Sequence, residues 1–165
     1  MNVARGYCRS LGIMAAVLLF AVSFSRAQFQ MSGGAGSAYS VPSQSLMQPQ
    51  QLNDLLLKPS HKPMLIFQVG SHTLFVQAHI PQSEYIGAGS QPAGLAALQT
   101  RVSSVPKDHL IVLYCGCCPW DRCPNVAPAY KKLRELGFTN VKILYMPNNF
   151  GTDWAAKGYR VQAGQ

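Results

Sequence analysis

Charge is scarce in this chain, and acid scarcest: its 165 residues carry six Asp and Glu against 14 Lys and Arg, a formal net charge of +8. The excess base is scattered. Lys131, Lys132 and Arg134 share one predicted helix, the other basic residues stand singly, and no basic run is interleaved with aromatics. That pattern argues against a nucleic-acid partner and leaves at most a weak attraction for small anions. The one long apolar run, Leu11 to Val22, is too short to read as a membrane span. Cysteines are not spread along the chain as a disulfide framework would spread them: four of the five lie between Cys115 and Cys123, where a bridge closes only a tiny loop. His61, His72, His79 and His109 show no ligand spacing and read as caps, turns or core partners, so no metal site is assigned to them.

What is present begins with an export signal. Arg5 and Arg9 form a basic start, Leu11 to Val22 an apolar centre, and Ser25-Arg-Ala27 a small-x-small cleavage site. Cys8 precedes the apolar stretch, which argues against a lipoprotein. Residues 1–27 are therefore expected to be a signal peptide, and the mature chain to be periplasmic or secreted, without stable membrane association. Cleavage removes Arg5, Arg9 and Arg26 and leaves 11 basic against six acidic side chains. Residues 28–47, rich in Gly, Ser and Gln, read as a flexible leader; residues 48–161 as one folded domain; residues 162–165 as a tail.

Within the domain, helical and strand patterns alternate. Pro49 to Leu57 reads as a helix, Met64 to Val69 as a buried strand, and the stretch containing His79-Ile-Pro81 as less regular. Pro92 to Ser103 carries Leu95, Leu98 and Val102 on one helical face. His109 to Tyr114 is an apolar, β-branched strand, Asn125 to Leu136 a helix stopped by Gly137, Asn140 to Tyr145 a further strand, and Gly151 to Lys157 a closing helix. The order predicts an α/β fold, an open and mostly parallel sheet flanked by helices, with binding at the carboxyl ends of strands.

The segment Leu113-Tyr-Cys-Gly-Cys-Cys-Pro-Trp-Asp-Arg-Cys-Pro-Asn125 occupies such an end. It delivers Cys115, Cys117, Cys118 and Cys123 between a strand and a helix N-terminus, where free backbone amides stabilise a thiolate or a bound oxyanion. Cys115-Gly-Cys-Cys118 has C-x-x-C spacing, so Cys118 or Cys123 is a candidate to resolve an intermediate on Cys115 as a disulfide.

Four stretches in order resemble a single-domain rhodanese. Lys62-Pro-Met-Leu-Ile-Phe-Gln-Val-Gly70 is similar to the strand that usually ends Asp-Val-Arg, and His79-Ile-Pro81 to the family's Gly-His-Ile-Pro segment. Leu110 to Cys115 resembles the strand that delivers the catalytic cysteine. Leu133 to Leu144, with Trp154-Ala-Ala-Lys-Gly-Tyr-Arg-Val161, resembles the C-terminal portion. The resemblance implies a sulfurtransferase in which Cys115, or as second choice Cys117, carries a persulfide between a small sulfur-containing anion or thiol and an acceptor thiol or cyanide. It implies no cofactor. Gly116 and the loop amides, Trp120 and Arg122 are the candidates to bind substrate, with Arg122 alternatively paired to Asp121 or Glu135, and Trp120 alternatively covering apolar surface. The chain departs from the pattern at Gln68 (for Asp), at Gly70 (for Arg), and in a loop with six residues between Cys115 and Arg122 where four are usual. Rival readings are a thiol-disulfide oxidoreductase using Cys115 and Cys118 with a redox partner protein, a soft-metal site such as one for Cu(I), and a non-catalytic binding module.

Overall fold

The structure is a computed structural model and describes residues 41–58 and 63–164. The expected signal peptide, and the leader as far as residue 40, lie outside the described residues. Among the described residues no helix is long and apolar enough to cross a membrane.

The elements run β1 (Leu46–Met47), α1 (Pro49–Leu57), β2 (Met64–Gln68), α2 (His72–Gln77), β3 (Ser83–Tyr85), α3 (Pro92–Arg101), β4 (Leu110–Tyr114), α4 (Val126–Glu135), β5 (Val141–Leu144) and α5 (Phe150–Asp153). The five strands form one sheet in the order β1-β5-β4-β2-β3, every pair parallel. β4 is central because its residues are apolar on both faces. Ile111 and Leu113 point into a core shared with Leu98 and Val102 at α3 and with Val126, Ala129 and Leu133 of α4. Val112 and Tyr114 point into a second core with Leu52 of α1, Ile80, Met146 and Trp154. Such two-sided burial is what a parallel sheet demands of its inner strands. Burying the Leu or Ile side chains of these layers stabilises the fold by about 1.5–3 kcal/mol each.

Three segments depart from the sequence reading. Val41 to Met47, assigned to the flexible leader, is ordered: Ser43–Ser45 forms a 3-10 turn, Ser45 hydrogen-bonds the Tyr130 hydroxyl at 2.9 Å, and β1 pairs with β5. A two-residue strand is too short to leave a periodic pattern, so the Gln- and Ser-rich composition concealed it. The less regular segment holds α2 and the edge strand β3. Only Phe75 of α2 is buried, so the helix shows no apolar stripe. The tail is also fastened: His79 and Gln162 exchange backbone hydrogen bonds of 2.8 and 2.9 Å, and the Gly164 amide donates to Val76 at 2.9 Å. His79 is a core partner, its ring stacked on Phe75 at 4.0 Å.

The chain leaves β2 toward β3 on one side of the sheet and leaves β4 toward β5 on the other. The loops after β2 and β4 therefore diverge, and a crevice opens between the carboxyl ends of these two neighbours, the usual place for a ligand in an open α/β sheet.

Candidate active site

Cys115 follows β4 directly, and the alternation of the strand carries its side chain to the same face as Ile111 and Leu113, toward α4. There it lies 5% exposed against Gly70, the second residue after β2. A Cβ placed on Gly70 would stand 2.7 Å from the Cys115 sulfur and 3.1 Å from its carbonyl oxygen, so this approach admits no side chain. Gln68, 2% exposed at the end of β2, joins the two loops. Its amide nitrogen donates to the Cys115 carbonyl at 3.0 Å, and its amide oxygen accepts from the Gly70 N–H at 3.1 Å. One neutral amide satisfies a buried acceptor and a buried donor at once.

Gly116 then reverses the chain at φ +74° beneath Phe150, whose amide donates to the Gly116 carbonyl at 2.9 Å. A Cβ here would meet the Phe150 Cβ at 2.8 Å. The reversal brings the sulfur of Cys117, which is exposed, to 2.9 Å from that of Cys115; the Cys118 sulfur is 3.4 Å from Cys117. These three sulfurs lie within 4.8 Å of one another, a soft donor set that suits a thiophilic ion such as Cu(I). All four loop cysteines are free thiols.

Cys123 is buried, and the backbone amides of Asn125 and Val126 at the start of α4 point to its sulfur. The helix terminus expected to serve the nucleophile thus serves Cys123. Cys115 receives instead the Asn125 side-chain amide at 3.4 Å, while the Asn125 side-chain carbonyl oxygen accepts from the Ser90 N–H at 3.1 Å. The Cys115 thiol is pushed up from an ordinary 9.0 to about 12, first by its hydrogen bond with Cys117 and next among the raising influences by burial; Cys123 and the Cys117 amide act in the opposite direction. Cys123 is also pushed up, chiefly by its hydrogen bond with Cys115 and then by burial. Burial raises Cys118.

A cavity of about 340 Å³ opens beside the pair, lined by Cys115, Cys117, Gly116, Gln68, Leu74, Gln77, Ala78, Tyr114, Phe150 and neighbours, and no charged side chain lines it. Trp120 lies outside this cavity, edge-on to Tyr145 at 6.0 Å, with its amide donating to Met146. Arg122 is exposed, does not line the cavity, and makes neither of the two ion pairs among the described residues; Glu135 pairs with Lys131. The geometry therefore brings Cys115, Gly116, Cys117 and Cys118 together at one opening, places Cys123 behind them, and sets Trp120 and Arg122 apart. Sequence reasoning missed Asn125 and the contribution of Phe150. The sequence placed Asn125 at the start of a helix, but nothing in it tied the Asn125 side chain to Cys115.

Neither a protein-family model nor a curated protein matches the chain. Among solved structures, the rhodanese-like domain of an Anabaena protein, determined in solution, aligns over 72% of this chain and 79% of its own at 20% identity and a TM-score of 0.53. A crystal structure of a Bacillus halodurans protein aligns over 73% of this chain and 78% of its own, at 21% identity and a TM-score of 0.55. Identity at this level speaks for architecture. The parallel sheet, its strand order and its flanking helices give the chain a rhodanese-like fold.

Proposed function

We propose that the chain is an exported sulfurtransferase in which Cys115 takes sulfane sulfur from a thiosulfate- or persulfide-type donor and hands it to a thiol or cyanide. The observation that carries this reading is the position of Cys115, at the carboxyl end of the central strand, opening on the crevice between β2 and β4 beside a cavity of about 340 Å³. The Cys115 thiol, which lines the cavity, first gives up its proton to solvent there. The Cys115 thiolate then attacks the outer sulfur of the donor. The sulfur–sulfur bond of the donor breaks, its remainder leaves as sulfite or a thiolate, and Cys115 holds a persulfide. The Asn125 amide, 3.4 Å from the sulfur, stabilises the anion that attacks. A cavity without charged side chains favours a persulfide donor, because a sulfite dianion leaving there has no cation to meet. Export rests on the basic, apolar and small-residue pattern of residues 1–27 alone.

The test is peptide-mapped mass before and after each donor. One added sulfur on Cys115, absent from Cys115→Ser, is the expected result; a reduced protein that takes up no sulfur from either donor refutes it. The clustering of three sulfurs within 4.8 Å supports a second reading, a soft-metal site. Stoichiometric copper or zinc in protein purified without chelator, lost in Cys117→Ala, would favour it.

A further inference from the structure

We infer that Cys117 is the internal acceptor for Cys115: it displaces the sulfane sulfur as sulfide by closing a Cys115–Cys117 disulfide. The inference rests on the sulfur-transfer reading above and changes its product, since no external acceptor is then needed for release. Three observations select Cys117 over the other thiols. Its sulfur is 2.9 Å from the Cys115 sulfur, whereas the Cys118 sulfur lies 3.4 Å from Cys117, and Cys123, which also hydrogen-bonds Cys115, is buried. Both Cys115 and Cys117 line the cavity, so a persulfide there presents its inner sulfur to Cys117 while its outer sulfur has room to leave. Cys117 is also the exposed member of the four, and Cys123 is buried beneath the loop. The disulfide must be reopened from outside, and only an exposed sulfur offers an incoming thiolate a line of attack.

The chemistry balances. A hydropersulfide donor and the thiols of Cys115 and Cys117 give the donor's own thiol, one hydrogen sulfide and the Cys115–Cys117 disulfide. The Cys117 thiolate attacks the Cys115 sulfur, the bond from that sulfur to the outer sulfur breaks, and hydrosulfide departs with the electron pair. Two thiols are oxidised by two electrons, and the sulfane sulfur is reduced to sulfide. A dithiol reductant of the thiol-disulfide exchange class then attacks the exposed Cys117 sulfur and restores both thiols. A disulfide spanning only Gly116 constrains almost no chain, so it gains little stability from loop closure and is readily reduced.

The experiment uses the full chain with Cys8→Ser, reduced, freed of reductant, and given one equivalent of an alkyl hydropersulfide or of thiosulfate without an acceptor. The parent protein is expected to release about one sulfide per chain and to lose two hydrogens in mass, with the bridge mapped to Cys115 and Cys117. Cys117→Ala, altered at an exposed position, is expected to retain one added sulfur on Cys115 and to release sulfide at least about tenfold more slowly. A Cys118→Ser, Cys123→Ser double variant, keeping only Cys115 and Cys117 in the loop, is expected to form the bridge as the parent does. Sulfur uptake by Cys117→Ala together with a parent that holds its persulfide, moves the added sulfur to Cys117 or bridges Cys115 to another cysteine would overturn the inference and leave the sulfur-transfer reading standing. No uptake by any form overturns both.

Discussion

Replacing Cys117 by Ala should make Cys115 a stronger acid. In the folded protein the Cys115 thiol stands at about 12 against an ordinary 9.0, and the hydrogen bond with Cys117 is the first cause. A displacement of that size is roughly 4 kcal/mol in favour of the protonated form. At pH 8 it lowers the thiolate fraction from about 0.1 to about 10⁻⁴, so Cys115 should alkylate some three orders of magnitude more slowly than a free thiol of equal access. Alanine removes the hydrogen bond and leaves the burial, so the value should fall part of the way. The assay is the rate of iodoacetamide labelling of Cys115, followed by peptide mass from pH 7 to pH 11. Opening the loop multiplies the rate equally at every pH, whereas a change in acidity moves the profile along the pH axis. A profile displaced to lower pH, with labelling at pH 8 at least about tenfold faster, is expected. A wild-type midpoint near 9, or superimposable profiles for the two proteins, would refute the assignment of Cys117 as the group that holds the Cys115 proton.

Alkaline stability should follow the same linkage. Cys115 and Tyr114 are both raised to about 12, the tyrosine chiefly by burial, so the native state keeps protons that the unfolded chain releases from about pH 9 upward. Their contribution is fully present below the unfolded values and disappears as pH rises through the folded ones, at about 1.4 kcal/mol per pH unit per group. Urea melts at pH 8, 9 and 10 should show falling midpoints, and a flat series would contradict the burial of these groups. Gly70→Ala drives a Cβ to 2.7 Å from the Cys115 sulfur and should cost about 1–3 kcal/mol by overpacking, with sulfur uptake impaired; unchanged stability and uptake would show that the loop gives way freely. Gln68→Leu strands the Cys115 carbonyl and the Gly70 N–H, each worth about 1–3 kcal/mol when buried and unpaired, and denaturant unfolding should register a loss in that range.

The parts of the fold that carry long apolar runs were legible before the structure. β2, β4, α1, α3 and α4 fall within a residue or two of their expected bounds, because Ile66 to Val69 and Ile111 to Tyr114 are buried on both faces and Leu52, Leu98 and Leu133 mark helical stripes. The parts that failed are held by other means. β1 and β3 are edge strands of two and three residues, fixed by backbone pairing to β5 and β2, which leaves no mark in side-chain identity. The tail is held by backbone bonds from His79 and Val76. Within the loop, the cysteines were legible as a group and their pairing was not. Which sulfur meets which depends on the positive φ of Gly116, on Phe150 above it, and on where α4 begins. The C-x-x-C spacing pointed to Cys118 or Cys123 as partner, whereas the chain reversal at Gly116 brings the Cys117 sulfur to 2.9 Å from that of Cys115.

The two departures at positions 68 and 70 show the same limit from the other side. Read as substitutions for Asp and Arg, they look like losses of charge and raise the question of whether the site is vacant of function. In the folded chain they are two halves of one arrangement. The Cys115 sulfur stands 2.7 Å from where a Cβ on residue 70 would lie, closer than van der Waals contact allows, so an arginine there conflicts with this placement of the thiol from its Cβ onward. With no cation at 70, a carboxylate at 68 would be buried unpaired at a cost of several kcal/mol, whereas the Gln68 amide donates to the Cys115 carbonyl and accepts from the Gly70 N–H without carrying charge. Removing both charges together is the consistent solution once the sulfur is packed against the backbone at Gly70, just after β2, and it also leaves the cavity uncharged. Reinstating them tests that coupling. Gln68→Asp alone and Gly70→Arg alone should each destabilise the domain, and the double variant should recover little, because the ion pair cannot form while the sulfur crowds the place that the Cβ of an arginine would need. A double variant as stable as the parent would mean that Cys115 can retreat from Gly70, and that its burial there is a preference of the loop rather than a constraint of the sheet.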